Sequence, residues 1–413
     1  MAAMTSARML VALGSTAVLL MVAVDGAAVM REDDWGNLHI NTTDSSGTTR
    51  VLLNGLDVLG HLDMLRQEVE RSRRVAQCIL TQEKDALGVD VTTLRGFGDA
   101  VGKWQETVLG PDGKVYGVPY DETVVLVIDP VTNAVDTTTM GSFSPASGKW
   151  TGSAVAPNGK IYCVPEQSPV VLIIDPTTNT TDITSIVGFG DGGDKWEQAV
   201  LAPNGKIYAV PDLADAILII DPETNSADTS SIPVPSGDNK YLGAALADNG
   251  KIYAIPGTRT NVLIIDPVTN AADGTTIMGL PDGNRKWFGA VLGGNGKIYG
   301  VPDEFNAVLV VDPVSNTADI TTLMVTDYDV SGITKWLSGV LSADGRIFGI
   351  PFSADAVLVV DPAKNTTHTV VLDMVAAGAD HDWLGGVLAP TGQIYSVPFD
   401  NDATLIIDPL CVV

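Results

Sequence analysis

The sequence predicts an all-β fold, a seven-bladed β-propeller of four-stranded blades over residues 89–413, with an N-terminal strand closing the last blade. Three observations carry that expectation. A segment of about 46 residues recurs seven times, beginning at Lys103, Lys149, Lys195, Lys240, Lys286, Lys335 and Asp382. Each copy divides into four short strand-like runs separated by turn residues. The seventh copy breaks off after Asp408-Pro409, and Val89-Asp90-Val91-Thr92-Thr93 matches the strand it lacks.

The third copy shows the logic of each element. Its first strand follows Lys195-Trp196 and ends at Val200-Leu201. Pro203-Asn204-Gly205 then turns the chain, because Asn and Gly accept positive φ. The second strand, KIYAVP, ends at Pro211, which removes an amide donor. The third, AILII, is a continuous apolar run of the kind buried on both faces. Asp221-Pro222-Glu223-Thr224-Asn225 is the next turn, its Asp expected to cap the backbone. The fourth, ADTSSI, is polar and β-branched, as an outer edge should be.

The first 88 residues are different. Met9 to Val24 carries no charge, and Gly26, Ala27 and Ala28 follow, the pattern of a secretory signal peptide over residues 1–28. The alternative is an uncleaved anchor, for which sixteen residues are short. Residues 29–55 are polar and read as a linker. Over 56–86, Val58, Leu62, Leu65, Val69, Ser72, Ala76 and Ile79 follow alternating three- and four-residue steps. That spacing gives either a short coiled coil that makes a homo-oligomer or an amphipathic helix packed on its own domain.

Charge excludes some functions. The chain has 50 acidic and 24 basic residues, a formal net charge of −26, and the excess falls almost wholly after Val89. Nucleic acid is therefore not an expected partner. A secreted location makes Asn41, Asn179 and Asn365 glycosylation sequons. It also permits a disulfide between Cys78 and Cys411, which both fall near the point of closure; Cys163 reads as a small buried thiol.

Segments such as PNGKIYAVP and AILIIDPETN resemble the YVTN-type β-propeller repeats of bacterial and archaeal surface and periplasmic proteins. The resemblance spans residues 89–413 and departs where that family has Thr-Asn after Tyr-Val and this chain has Pro. It implies the architecture and leaves the function open. More distantly related propellers include lactonases and antibiotic lyases, which imply an enzymatic alternative.

Two sets of residues are candidates for a site. Lys103, Trp104, Lys149, Trp150, Lys195, Trp196, Lys240, Tyr241, Lys286, Trp287, Lys335, Trp336 and Trp383 open the inner strands and should ring the channel on one face. Such a ring would stack on sugars or cations, or attract anions. The competing reading is packing for the aromatics and ion pairs with neighbouring aspartates for the lysines. This ring would serve a binding or scaffold module with a glycan or protein ligand. The enzymatic alternative draws on residues that break the repeat, His381, Asp382 and Arg259. A structural coat or matrix protein is the third reading. No cofactor is expected; calcium is the ion that the turns Asp191–Asp194 and Asp282–Asn284 would take.

Overall fold

The computed structural model describes residues 5–13, 18–32, 38–42, 50–53, 56–57, 88–328, 333–372 and 381–409. Two compact units divide the chain, 1–83 and 84–413. In the first, Thr5–Leu13 pairs antiparallel with Val18–Glu32, which also pairs with Leu38–Thr42 and Arg50–Leu53. Of the helix expected over 56–86, Leu56–Asp57 are described, and they pair as a strand with Leu52 and Leu53. Residues 58–87 lie outside the described residues, as do Cys78 and Cys411 of the expected disulfide. Among the described residues there is no helix.

The second unit is a seven-bladed propeller. Every blade is a four-stranded antiparallel sheet, and in blades 1 to 6 the strands follow chain order from the channel outward. Blade 3 is built from Trp196–Leu201, Ile207–Pro211, Leu218–Asp221 and Ser226–Asp228. Trp196 faces Pro211 in the register, so the start of the inner strand and the end of the second share one face of the disc. Burial follows the sequence: Ile207–Pro211 is fully buried, whereas Ser226 and Ala227 are exposed. The inner strands contact one another in order around the channel, and blade 7 meets blade 1.

Closure occurs as the repeat count requires. Val89–Asp90 is the outermost strand of blade 7, with Val89 opposite Ile407 and Asp90 opposite Ile406. Asp90 also carries a side-chain clip that recurs on the outer edges. Its carboxylate accepts the Thr92 N–H at 2.6 Å and the Thr93 N–H at 3.0 Å, as well as both Thr hydroxyls. Asp182, Asp228, Asp273 and Asp319 make the same four-bond clip to hydroxyl residues two and three positions on. In blade 6, where His368 replaces this Asp, the strand instead runs on through Thr366–Val371. Asp327 supplies the carboxylate from the preceding loop and accepts the Thr369 N–H at 2.7 Å.

The cores lie between blades. One joins Tyr208, Ile217 and Ile219 of blade 3 to Tyr241, Ile252 and Ile265 of blade 4. Each apolar strand is sandwiched by two neighbours, which explains its unbroken hydrophobic run. The turn aspartates behave as expected: Asp129, Asp175, Asp266 and Asp312 each accept two backbone N–H bonds from the residues that follow.

Candidate functional site

The repeated aromatics are structural in position. Trp104, Trp150, Trp196, Tyr241, Trp287, Trp336 and Trp383 are all buried, none more than 5% exposed. Each indole N–H donates to a backbone carbonyl twenty residues on in its own blade, for example Trp287 to Ala307 at 2.7 Å and Trp383 to Ala403 at 2.6 Å. Tyr241 substitutes by accepting from the Asn261 amide at 3.0 Å. Phe97, Phe143 and Phe189 set their rings edge-on against Trp104, Trp150 and Trp196. No indole face is left open for a sugar.

The lysines in this ring correct both expectations made for them. Lys103, Lys240, Lys286 and Lys335 are buried and Lys149 nearly so. Lys103, Lys149, Lys195, Lys240 and Lys286 do not form an open cationic ring, and the hydrogen bonds that they donate go to backbone oxygens. Their ammonium groups hold the loops between blades through backbone carbonyls. Lys149 donates to Tyr120 at 2.7 Å and Ala146 at 2.8 Å, Lys240 to Gly237 at 2.7 Å, and Lys286 to Gly257 at 2.6 Å. Lys103 reaches Ala100, and Lys195 reaches Gly192. Burial lowers the Lys149 and Lys286 ammonium groups to about 8.

The enzymatic candidates do not converge. Arg259 donates to the carbonyls of Pro235 and Ser236. Asp382 is buried and accepts from Asn401 at 2.8 Å. His381 sits half-exposed, its Nδ1 3.6 Å from Asp400 and its ring stacked on Phe352 at 4.4 Å. Asp400, not Asp382, is thus its carboxylate partner.

What repetition hides, divergence reveals. The residue after the second-strand proline differs from blade to blade: Tyr120, Glu166, Asp212, Gly257, Asp303, Phe352 and Phe399. The residue after each inner-strand aromatic also varies: Gln105, Thr151, Glu197, Leu242, Phe288, Leu337 and Leu384. Both positions fall at the channel mouth on the Lys/Trp face. They divide it into an acidic arc and an apolar arc. Leu242, Phe288, Leu337, Phe352 and Leu384 form one buried cluster with Phe399 against it. Tyr120, Phe399 and Phe352 continue as a chain of rings 5.4 and 5.6 Å apart.

The acidic arc is buried. Glu166 and Asp212 are 6% exposed, Glu197 is 7% and Asp303 is 0%. Tyr120 OH donates to Glu166 Oε1 at 3.4 Å, and Gln105 Nε2 to Glu197 Oε1 at 3.1 Å. Arg285 Nε pairs with Asp303 Oδ2 at 3.1 Å. Glu166 Oε2, Asp212 Oδ1 and Asp303 Oδ1 have no hydrogen-bond partner. Burial pushes Glu106 up to about 7, Asp212 to about 6 and Asp303 to about 7 against the pull of Arg285. Burial, then the charges of Glu197 and Asp194, raise Glu166, and burial, then the charge of Asp212, raises Glu197. Such displaced carboxyls mark functional sites.

A cavity of about 50 Å³ opens in the channel here, lined by Gln105, Glu106, Glu197 and Gln198 from blades 1 and 3 and by Phe288, Leu337 and Leu384 from blades 5 to 7. The channel is narrow because inner strands touch backbone to backbone. A Cβ on Gly152 would fall 2.3 Å from the Glu197 carbonyl oxygen, and one on Gly385 2.4 Å from the Thr107 nitrogen. Among the described residues, no three His, Cys, Asp or Glu side chains are arranged to hold a metal ion.

No family model matches the chain, and no curated protein matches it in sequence. The YVTN-type assignment therefore rests on the repeat pattern alone. In three dimensions, the catalytically inactive virginiamycin B lyase from Staphylococcus aureus with quinupristin is similar at TM-score 0.60, with 10% identity over 77% of this chain and 98% of its own. The extracellular domain of the one-component system BT4673 from B. thetaiotaomicron is similar at TM-score 0.56, with 10% identity over 93% of this chain and 51% of that one. Kuenenia stuttgartiensis hydrazine synthase follows at TM-score 0.55, with 15% identity over 74% of this chain and 96% of its own. At such identities the likeness is one of fold, and by fold the chain stands among the seven-bladed β-propellers, beside a lyase and an extracellular domain alike.

Proposed function

We propose that this protein is a secreted or cell-surface, non-enzymatic binding or scaffold propeller that takes a glycan or protein ligand at the channel mouth. The observation that carries the reading is the break in sevenfold repetition there. A position that holds the same residue in every blade serves the blade. A position that varies among the blades, and gathers buried carboxyls on one side and aromatics on the other, builds one asymmetric site. The Lys/Trp positions lie on the same face and frame this site without touching the ligand. The signal-peptide pattern over 1–28 supports secretion, and the exposed turn positions of Asn179 and Asn365 suit glycosylation. No helix among the described residues is long and apolar enough to cross a membrane.

A glycan and peptide array with the secreted protein tests this reading. Binding should be lost or weakened in Glu166→Gln and Phe352→Ala. Binding that both variants leave unchanged would move the site elsewhere. The enzymatic reading keeps one supporting observation, the His381–Asp400 contact beside Phe352. Turnover of a lactone or cyclic depsipeptide that disappears in His381→Ala would establish it over the binding role.

A further inference from the structure

We propose that the protein carries N-linked oligosaccharides on Asn179 and Asn365, the two turn asparagines that the propeller leaves out of its bonds between blades. The inference rests on the chain being secreted and adds where the secretory route modifies it.

Six blades follow the third strand with a turn that ends in a left-handed Asn: Asn133, Asn179, Asn225, Asn270, Asn316 and Asn365. In four of these the side chain is occupied. Tyr162 donates to Asn225 Oδ1 at 2.9 Å, Tyr208 to Asn270 at 2.7 Å, Tyr253 to Asn316 at 3.1 Å and Tyr395 to Asn133 at 3.4 Å, each from the preceding blade. An amide oxygen fixed on a buried phenol fixes the amide plane, and with it the direction of Nδ2. Asn179 and Asn365 are exposed, and their side chains make no hydrogen bond among the described residues.

Blade 1 shows why Asn179 is released. In blades 2 to 4 an Asn of the first turn donates to the Tyr hydroxyl, Asn158 to Tyr162, Asn204 to Tyr208 and Asn249 to Tyr253, each at 3.0 Å. The Tyr proton is then left for the next blade. Blade 1 has Asp112 at that position, and a carboxylate only accepts. Tyr116 gives its one proton to Asp112 Oδ2 at 3.0 Å and has none for Asn179. In blade 5 Asn295 donates to Tyr299 at 2.9 Å, but a hollow of about 430 Å³, lined by Asn295, Arg346, Pro362 and Lys364, opens beside the turn that carries Asn365.

The sequence selects the same two residues. An acceptor Asn needs a hydroxyl residue two positions on. Thr181 and Thr367 meet that need, whereas the four occupied asparagines have Val135, Ala227, Ala272 and Ala318. The donor is an oligosaccharide on a lipid diphosphate. The Nδ2–C1 bond forms, the bond from C1 to the phosphate oxygen breaks, its electron pair leaves on the lipid diphosphate, and Nδ2 gives up one proton. In blade 2, Trp150 faces Pro165 at one end of the ladder and Asp175 faces Thr180 at the other. The sugars therefore stand on the face away from the channel mouth and leave it open.

The full chain, made with its own N-terminus in a eukaryotic secretory host, tests this. Protein from the medium is treated with peptide N-glycosidase in oxygen-18 water, and peptide mapping then reads each site separately, Asn41 included. We expect heavy-oxygen aspartate at both proposed positions. Asn179→Asp and Asn365→Asp, which suit the left-handed turn, should each remove one oligosaccharide from the intact mass and leave secretion unchanged. Ala227→Thr, at an exposed position, completes an acceptor at Asn225. Sugar there should lower the melting midpoint by roughly 2 °C against the same variant made without sugar. Full occupancy of Asn225 with an unchanged midpoint would overturn the role given to the Tyr bonds. Secreted protein with both proposed asparagines bare, or with an unchanged mass in both Asp variants, would overturn the inference and leave secretion standing. A chain held in the cytosol with residues 1–28 uncleaved would overturn the secretion reading and this inference with it.

Discussion

The Tyr208 hydroxyl donates to the Asn270 side-chain oxygen at 2.7 Å, across the boundary between blades 3 and 4. The same hydroxyl accepts from Asn204 Nδ2 at 3.0 Å. Asn270 sits at φ 51°, a left-handed position that Asn tolerates and most residues avoid. One Asn thus ends a turn and ties two blades. Blades 2 and 4 repeat the tie through Tyr162–Asn225 at 2.9 Å and Tyr253–Asn316 at 3.1 Å. Tyr208→Phe should destabilise by about 0.5–1.5 kcal/mol. Asn270→Gly keeps the turn and loses the tie, so the double variant should cost less than the sum of the two. Chemical denaturation of the four proteins measures this; strict additivity would mean the bond does not couple the blades.

The tryptophans offer a sharper contrast. Trp287→Phe removes the donor to the buried Ala307 carbonyl and should cost about 1–3 kcal/mol. Trp287→Ala should cost about 3–5 kcal/mol by leaving a cavity. Ligand binding by the folded Phe variant should match wild type. A folded Trp287→Phe protein that loses ligand would restore the ring as a contact surface.

Acidity should act on stability in two opposite ways. Glu106, Asp212 and Asp303 ionise at about 7, 6 and 7 in the folded protein, and near 4 when unfolded. Between those limits the folded state holds protons that the unfolded chain has released, so stability falls as pH rises from about 4 to 7. Asp136, Asp182, Asp228, Asp273 and Asp319 are lowered to about 2, chiefly by hydroxyl and backbone donors in the outer-strand clips. Their contribution is present above about 4 and is lost as pH falls towards 2. These clips are solvent-exposed, so the acid limb should be shallow. Thermal melting across pH 2–8 should peak near pH 4–5, and a midpoint that climbs steadily to pH 8 would contradict the buried-acid account.

Blade 7 depends on a strand from the other end of the propeller. Val89 packs into a core with Leu405 and Ile407. Val89→Asp should open that edge, lower the melting midpoint and expose blade 7 to limited proteolysis before any other blade. Cleavage beginning in another blade would count against the closure as the weak edge.

The architecture was legible because it is repetitive. Seven Asp-Pro turns, seven apolar third strands and one missing strand define the blades without reference to contacts. The site was not, for the same reason. Lys286 and Trp287 attract notice because six of the seven blades carry each of them, and that recurrence follows from loop-holding and packing. Glu166, Asp212 and Phe352 look unremarkable in line. Their meaning appears when the seven equivalent positions are compared: acids fall in blades 2, 3 and 5, and rings in blades 1, 6 and 7. Lys149 and Lys286 each bond one carbonyl three residues back and one 29 residues back, in the preceding blade, and a pattern of charges carries no trace of backbone acceptors.

The closing pair has a mechanical consequence. Val89 lies opposite Ile407 and Asp90 opposite Ile406, so the chain before Val89 and the chain after Ile407 leave from the same end of the ladder. Tension applied through those two segments would load the rungs one at a time, as a zipper opens, and not together in shear. If the protein is tethered through one segment and pulled by the other, blade 7 is the first to part, and the disc unwinds from its seam.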